Sequence, residues 1–172
     1  EFISKVTRLI KEQKATMIVE HISYNKIAEA YDSTIFTQEK HTQPIEKAYA
    51  AKKHVMDYVF PDSKGEAEFA ENLDGATEVC VYAKLPRAFQ IPTPVGIYAP
   101  DWAMAAGRKG TVKHIFFIAE TKGSMGTMEL RGVEKAKIEC AEKLFNDVST
   151  SHVRYHQVKS YQNLLDVMKK LD

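Results

Sequence analysis

The spacing of the hydrophobic positions changes near residue 78 of the chain. Before that point apolar residues recur at helical intervals, apart from a polar stretch over residues 32–43 that predicts a loop. The intervals predict three helices, over Phe2–Gln13, Ser23–Tyr31 and Pro44–Phe60. Ser63 and Glu66 have the spacing of a capping box, so a short helix should follow them and end at Asp74 and Gly75.

After residue 78 the apolar residues come in short runs bounded by turn residues, which predicts strands. Four strands and two further helices are expected, in the order Val79–Ala83, Val95–Ala105, Val112–Thr121, a helix over Glu129–Asp147, Val153–Lys159 and a helix over Tyr161–Leu171. Gly107 to Gly110 predicts a hairpin turn between the second and third strands. The third strand is apolar on both faces, so it should lie centrally in a sheet covered by helices.

Composition narrows the class of protein. The chain has 172 residues, of which 44% are hydrophobic and 27% charged, values typical of a folded globular domain. The formal net charge of +1 excludes recognition of nucleic acid by bulk charge, but it leaves open a nuclease with a local basic groove. Basic residues that could contact phosphates, with solvated surface residues as the alternative, are Lys84, Arg87, Arg108, Lys109, Lys113, Arg131, Lys135 and Lys137.

Three further features bear on where the protein works. No apolar run is long enough for a membrane span and no signal peptide is evident, so a cytoplasmic location is expected. Cys80 and Cys140 are therefore expected to be buried thiols, with a single disulfide as the alternative. The chain lacks an initiator Met and begins within a helical pattern, which suggests a fragment of a longer protein.

Three polar residues interrupt the apolar sheet and carry the candidate chemistry. Asp101 follows Pro100 within the second predicted strand, and Glu120 and Lys122 lie at the end of the third. Because side chains alternate along a strand, Glu120 and Lys122 should share a face. Two carboxylates and a lysine on neighbouring strands fit a Mg²⁺ site for phosphodiester hydrolysis, in which the lysine serves the attacking water.

The alternative reading of these residues is a structural ion pair. A Glu-x-Lys triplet is common by chance, and Glu12 with Lys14 is a second example, although a helix does not place residues i and i+2 on one face. A symmetric hairpin would also set Asp101 opposite Phe116, four residues from Glu120, or about 13 Å along the strand. A bulge, an asymmetric loop or a bend at Pro100 is needed to bring the carboxylates together.

Several motifs in order resemble the C-terminal endonuclease domain of the restriction (Res) subunit of type III restriction enzymes. They are DSKGEAEF at 62–69, YAKLP at 82–86, TPVGIYAPDW at 93–102, AETKG at 119–123 and LRGVEKAKIEC at 130–140. The resemblance implies a PD-(D/E)xK restriction-endonuclease-like fold of the α/β class, with a central mixed sheet flanked by helices and a helical N-terminal segment. It further implies an enzyme, a hydrolase that cuts double-stranded DNA within a type III restriction-modification system.

The resemblance also assigns the site residues. Asp101, Glu120 and Lys122 match the catalytic set, with Asp101 and Glu120 holding Mg²⁺, for which Mn²⁺ could substitute. Glu66 would be a further acidic residue of the site, and its alternative role is capping the helix that begins at Ser63. Ala99 departs from the pattern, because many relatives carry a polar Asn there. This departure leaves Asp101 unaffected.

The implied division of the chain is a helical segment over 1–61 and an endonuclease core over 62–172. The expected partners are the helicase-like motor region of the same subunit and the methyltransferase (Mod) subunit. ATP would act only through the motor region, since no phosphate-binding loop motif occurs here. The alternatives are another PD-(D/E)xK nuclease of DNA repair or recombination, and a catalytically silent module for DNA docking or subunit interaction.

Overall fold

The structure is a computed structural model of the chain. It describes residues 1–25, 32, 34–35, 44, 46, 48–108, 111–118, 132–158 and 161–171. The elements, numbered here in chain order, are α1 Phe2–His21, β1 Tyr49–Ala50, β2 Tyr58–Val59, α2 Lys64–Gly75, β3 Val79–Lys84, β4 Ile91–Thr93, β5 Gly96–Tyr98, β6 Trp102–Arg108, β7 Thr111–Ile118, α3 Gly132–Val148, β8 Arg154–Val158 and α4 Tyr161–Leu171.

The main sheet has the strand order β3-β6-β7-β8. β6 is antiparallel to both β3 and β7, whereas β8 is parallel to β7, so the sheet is mixed. β7 lies between β6 and β8, and helices cover both faces of the sheet. This central position is the one predicted from a strand that is apolar on both faces. The predicted α/β fold with a central mixed sheet flanked by helices is confirmed.

Helices cover the two faces of the sheet with separate apolar clusters. On one face the sheet packs against α2 and α4 through Phe69, Leu73 and Leu164. On the other face α3 contributes Ile138, Ala141 and Phe145, and Phe145 stacks on Phe117 of β7 with ring centroids 4.7 Å apart. α1 lies against the outer side of α3, where Ala15 and Val19 meet Ala136 and Cys140.

The predicted helix over Pro44–Phe60 is wrong, because this segment holds β1 and β2 instead. The Asp74 carboxylate accepts hydrogen bonds from the backbone N–H groups of Lys52 and Lys53 at 2.9 and 3.0 Å. Those donors are therefore committed to a side chain more than twenty residues away and cannot serve a helix. The segment also runs along β3, since Val55 N–H donates to the Tyr82 carbonyl and Tyr82 N–H to the Lys53 carbonyl, both at 3.0 Å.

The second predicted strand is also divided. Residues 91–98 form a small antiparallel hairpin of β4 and β5, and β6 begins only at Trp102, after the break at Pro100. The hairpin reverses at Pro94 and Val95, and Gly96, which begins β5, adopts a φ of 128°, a conformation that side-chain-bearing residues rarely take. The apolar run over Val95–Ala105 therefore belongs to two sheets, and a pattern of period two cannot show that division.

The remaining sequence predictions fall into three groups. The helices after residue 128 and the fourth strand are confirmed to within a few residues, and α1 extends eight residues beyond its predicted end. Residues 26–31, 33, 36–43, 45, 47, 109–110, 119–131, 159–160 and 172 lie outside the described residues. So do most of the helix predicted over Ser23–Tyr31, most of the loop predicted over 32–43 and the centre of the hairpin turn. Both cysteines are free thiols, with Cys140 buried and Cys80 half-buried.

Candidate active site

One end of the main sheet carries Lys84 and, next to Trp102, the candidate metal ligand Asp101. Across this end Lys84 of β3 pairs with Trp102 of β6, and Trp102 pairs with Ile118 of β7. Directly opposed residues project from the same face of a sheet, so these three side chains face α2. Trp102 is fully buried there and packs against α2, with its ring 5.3 Å from that of Phe69.

Asp101 is fixed by its backbone at the start of β6. Its N–H donates to the Ile118 carbonyl at 2.9 Å, and its carbonyl accepts from Leu85 N–H at 2.8 Å. The residue is therefore held between the ends of β3 and β7. Its side chain is half-buried, at the point where Pro100 separates β6 from the preceding hairpin.

The pairing of β6 with β7 is not that of a symmetric hairpin, and its shift moves Asp101 toward the end of β7. Arg108 pairs with Thr111, so the turn is displaced by one residue, and the register shifts again between Ala106 and Gly107. Trp102 consequently pairs with Ile118 and not with Ile115. The displaced turn moves the pairing by two residues and the bulge at Gly107 moves it by one more, so Asp101 lies beside the end of β7. A side chain at Gly107 would collide with the Thr111 backbone.

Glu66 lies in the first turn of α2 and is buried, with 3% of its surface exposed. Ser63 caps the helix by accepting Glu66 N–H at 3.2 Å, as the spacing predicts. The reciprocal bond of a capping box does not follow, because the Glu66 carboxylate accepts Asp62 N–H at 2.8 Å, one residue earlier than Ser63. The carboxylate is thereby turned toward the end of β3.

Lys84 joins this carboxylate to a second one. Its Nζ donates to Glu66 Oε2 at 2.9 Å, to Asp62 Oδ2 at 2.8 Å and to the Phe60 carbonyl at 2.9 Å. Burial lowers the pKa of Lys84, but the bonds to Asp62 and Glu66 outweigh it and raise the pKa overall. We call Lys84, Asp62 and Glu66 the lysine cluster. Surface solvation, the alternative considered for Lys84, is wrong.

Sequence patterns did not identify Lys84 as part of a cluster. Its partners come from residues 60–66, and only the packing of α2 on β3 brings them together. The signal available in the sequence is a lysine at the end of an otherwise apolar strand, where an unpaired charge is costly to bury. That signal indicates a partner without identifying it.

Glu120 and Lys122 lie outside the described residues. Among the residues that are described, no three His, Cys, Asp or Glu side chains form a group that could hold a metal ion. The described part of the site therefore consists of Asp101 and the lysine cluster.

No helix in the described ranges is long and apolar enough to cross a membrane.

Comparisons with known proteins identify the family of the chain. A family model described as an endonuclease domain matches residues 52–161, well over half of the chain. The chain is 34% identical over 100 residues to the EcoPI Res subunit of a type III restriction-modification enzyme from Escherichia phage P1, and equally to the EcoP15I Res subunit from Escherichia coli. Each match covers 57% of this chain and 10% of the relative.

The chain thus spans about a tenth of the length of these curated relatives. No solved structure gives a significant match. The matched residues contain Asp101, Glu120, Lys122 and the whole lysine cluster. The chain belongs to the endonuclease domain family and is related to the Res subunits of type III restriction enzymes.

Proposed function

We propose that the chain is the Mg²⁺-dependent DNA-cutting domain of a type III restriction enzyme, with Asp101 and Glu120 holding the ion. The observation that carries the proposal is the register of β6 on β7, which places Asp101 beside Ile118. Glu120 follows Ile118 by two residues, which span at most about 7 Å of chain. This distance is shorter than the roughly 13 Å expected for a symmetric hairpin, and it would allow two carboxylates to hold one ion.

The chemistry of the residues fits a hard cation. Carboxylate oxygens are the ligands that Mg²⁺ prefers, and Mn²⁺ accepts the same donors. When bound, the ion would polarise the scissile phosphate and lower the pKa of water. Lys122 would orient the attacking water or take its proton. Glu66 would assist from α2, on the face of the sheet toward which Ile118 projects.

The side of the sheet supports this assignment. Ile118 lies in the apolar cluster that faces α2, together with Trp102 and Phe69. If the alternation of β7 continues, Glu120 and Lys122 project from the face that carries the lysine cluster. Double-stranded DNA would then approach the end of the sheet where β6 begins. Binding over a long tract would fall to the motor region and to the methyltransferase subunit, since the net charge of this chain is only +1. ATP would act through the motor region, and the whole assembly would work in the cytoplasm.

Nicking of a supercoiled plasmid tests the proposal. We expect Mg²⁺-stimulated nicking by the chain, or by the subunit assembled with its motor and methyltransferase partners, and at least a 100-fold loss in Asp101→Asn. Asp166→Asn, an exposed carboxylate on α4, is the matched control and should nick like the unmodified chain.

The outcomes separate the alternatives. Absence of cleavage in both the isolated and the assembled protein would reject an enzyme and favour a silent docking module. Cleavage by the isolated chain that gains nothing from the two partners would favour a repair or recombination nuclease of the same fold. Unchanged nicking by Asp101→Asn would reject the assigned site.

A further inference from the structure

We propose that Lys84 is a positioning residue, which holds Glu66 through one carboxylate oxygen so that the other serves the cation site beside Asp101. The inference rests on the proposed function, because it assigns Lys84 a task at that same site. Lys84 is not offered as a group that touches DNA or the ion. Its effect on cleavage would pass entirely through Glu66.

The first support is that the two carboxylate oxygens of Glu66 differ in their hydrogen bonds. Oε2 accepts both Asp62 N–H and Lys84 Nζ, at 2.8 and 2.9 Å. Within the described part of the chain, Oε1 takes no hydrogen bond, so one lone-pair set of a buried carboxylate is left for another ligand. Oε1 is not among the buried side-chain atoms that lack a partner in the described residues, so it is open to solvent and to a ligand.

The second support is the charge balance of the cluster. One ammonium meets two carboxylates, and all three N–H donors of Lys84 are used by Glu66, Asp62 and the Phe60 carbonyl. The cluster therefore keeps a formal charge of −1. The Glu66 side chain is 4% exposed against 55% for Asp62, so Glu66 is the carboxylate whose charge water screens least. A cation beside Glu66 would be attracted to that charge.

The third support is position. Lys84 pairs with Trp102, and Asp101 is the residue before Trp102 in the chain. The Asp101 carbonyl also accepts Leu85 N–H, one residue after Lys84. The lysine cluster and the proposed metal ligand thus lie on adjacent strands at one end of the sheet. Helix capping does not explain the arrangement, because Ser63 already supplies the cap.

A double-mutant cycle between Lys84 and Glu66 tests the inference. We expect Glu66→Gln to lower the kcat of Mg²⁺-dependent plasmid nicking by about 10-fold or more, and Lys84→Met to lower kcat by a similar factor. The KM for DNA should change by less than about 2-fold, and the double variant should be no slower than Glu66→Gln alone. Rates are expressed per folded molecule, with folding measured by circular dichroism. Lys84→Arg, which keeps the charge, should recover part of kcat.

The matched control is Lys5→Met, which removes an exposed lysine paired with Glu1 at 3.2 Å and should leave kcat unchanged. Additive effects of the Lys84 and Glu66 substitutions would overturn the inference. So would a raised KM with a steeper salt dependence, since that result assigns Lys84 to phosphate contact. An unchanged kcat per folded molecule would reduce Lys84 to a structural role.

A crystal structure of Lys84→Met gives a readout that does not depend on cleavage. The inference expects the Glu66 carboxylate to leave Asp62 N–H and turn toward solvent, whereas an unmoved carboxylate overturns it. The two proposals therefore fail separately. An inactive wild-type assembly with a displaced Glu66 rejects the function alone, and an active assembly with an unmoved Glu66 rejects the positioning role alone.

Discussion

The lysine cluster and a pair of histidines share one face of the main sheet but carry opposite local charge. His114 of β7 and His156 of β8 bring Nδ1 and Nε2 to 3.1 Å from each other. His114 lies four residues before Ile118, so the pair is about 13 Å along the strand from the row that holds Lys84. Two anions surround the lysine, whereas the charged neighbours of the histidines are the cations Arg154 and Lys113.

The difference shows how each region tolerates buried polar groups. In the lysine cluster opposite charges compensate one another, and this keeps Lys84 protonated. At the histidine pair, burial followed by the charges of Arg154 and Lys113 lowers the pKa of His114. Burial, His114 and Arg154 lower the pKa of His156 in the same way. The lysine cluster therefore favours the charged form of Lys84, whereas the histidine pair favours the neutral form of its two rings.

The largest effect is expected from Lys84→Met. Removal of the cation deprives the Glu66 carboxylate of its charged partner, which should lower the free energy of unfolding by about 3–5 kcal/mol in urea denaturation. The double variant Lys84→Met with Glu66→Gln removes both charges and should recover most of that loss. A single variant as stable as the wild type would contradict compensation by charge in this region.

A smaller effect is expected from pH at the histidine pair. Because folding lowers both pKa values, the unfolded chain binds protons first as the pH falls below about 6.5, and stability is lost from there down to the folded pKa values. Both rings are partly exposed, so the expected fall in Tm between pH 7.5 and 5.5 is modest, about 1–3 °C by calorimetry.

The double variant His114→Gln with His156→Gln should remove the part of this pH dependence that comes from the pair. His152→Gln, in the exposed turn before β8, is the control and should preserve the full dependence. An undiminished dependence in the double variant would show that the pair does not sense pH.

The smallest effect is expected from His156→Phe. His156 already stacks on Phe116 with ring centroids 4.8 Å apart, so a phenyl ring keeps the packing and loses only the bond to His114. The free energy of unfolding at pH 8 should change by less than about 1 kcal/mol. At pH 5.5 the variant should equal or exceed the wild type, and thermal unfolding at both pH values checks this. A large loss at pH 8 would assign the His–His bond a greater structural role.

The sequence predicted the elements whose patterns are local. β7, α3, β8 and α4 were anticipated because alternation, helical spacing and capping residues act within a few positions of each other. The Pro44–Phe60 segment failed, since Asp74 competes for its backbone donors from another part of the chain. The residue pattern within the segment cannot show that competition, because Asp74 lies outside it.

The candidate site likewise has features that local patterns predict and features that depend on distant parts of the chain. Asp101 could be selected because Pro-Asp interrupts an apolar sheet, and the need for a bulge, an asymmetric loop or a bend followed from counting residues in the hairpin. The position of the bulge and the partners of Lys84 could not be predicted. Both depend on how β6 fits β7 and how α2 lies on β3, which tertiary packing decides.

The segment over residues 53–55 covers the outer edge of β3. An outer strand with unpaired amides can recruit a strand from another molecule, which is a common route to aggregation. Along β3 the outward amides of Tyr82 and Lys84 are already engaged, by the Lys53 carbonyl and by His54 Nε2, each at 3.0 Å. The stretch that departs from its helical pattern thus closes this border of the sheet to intermolecular strand pairing.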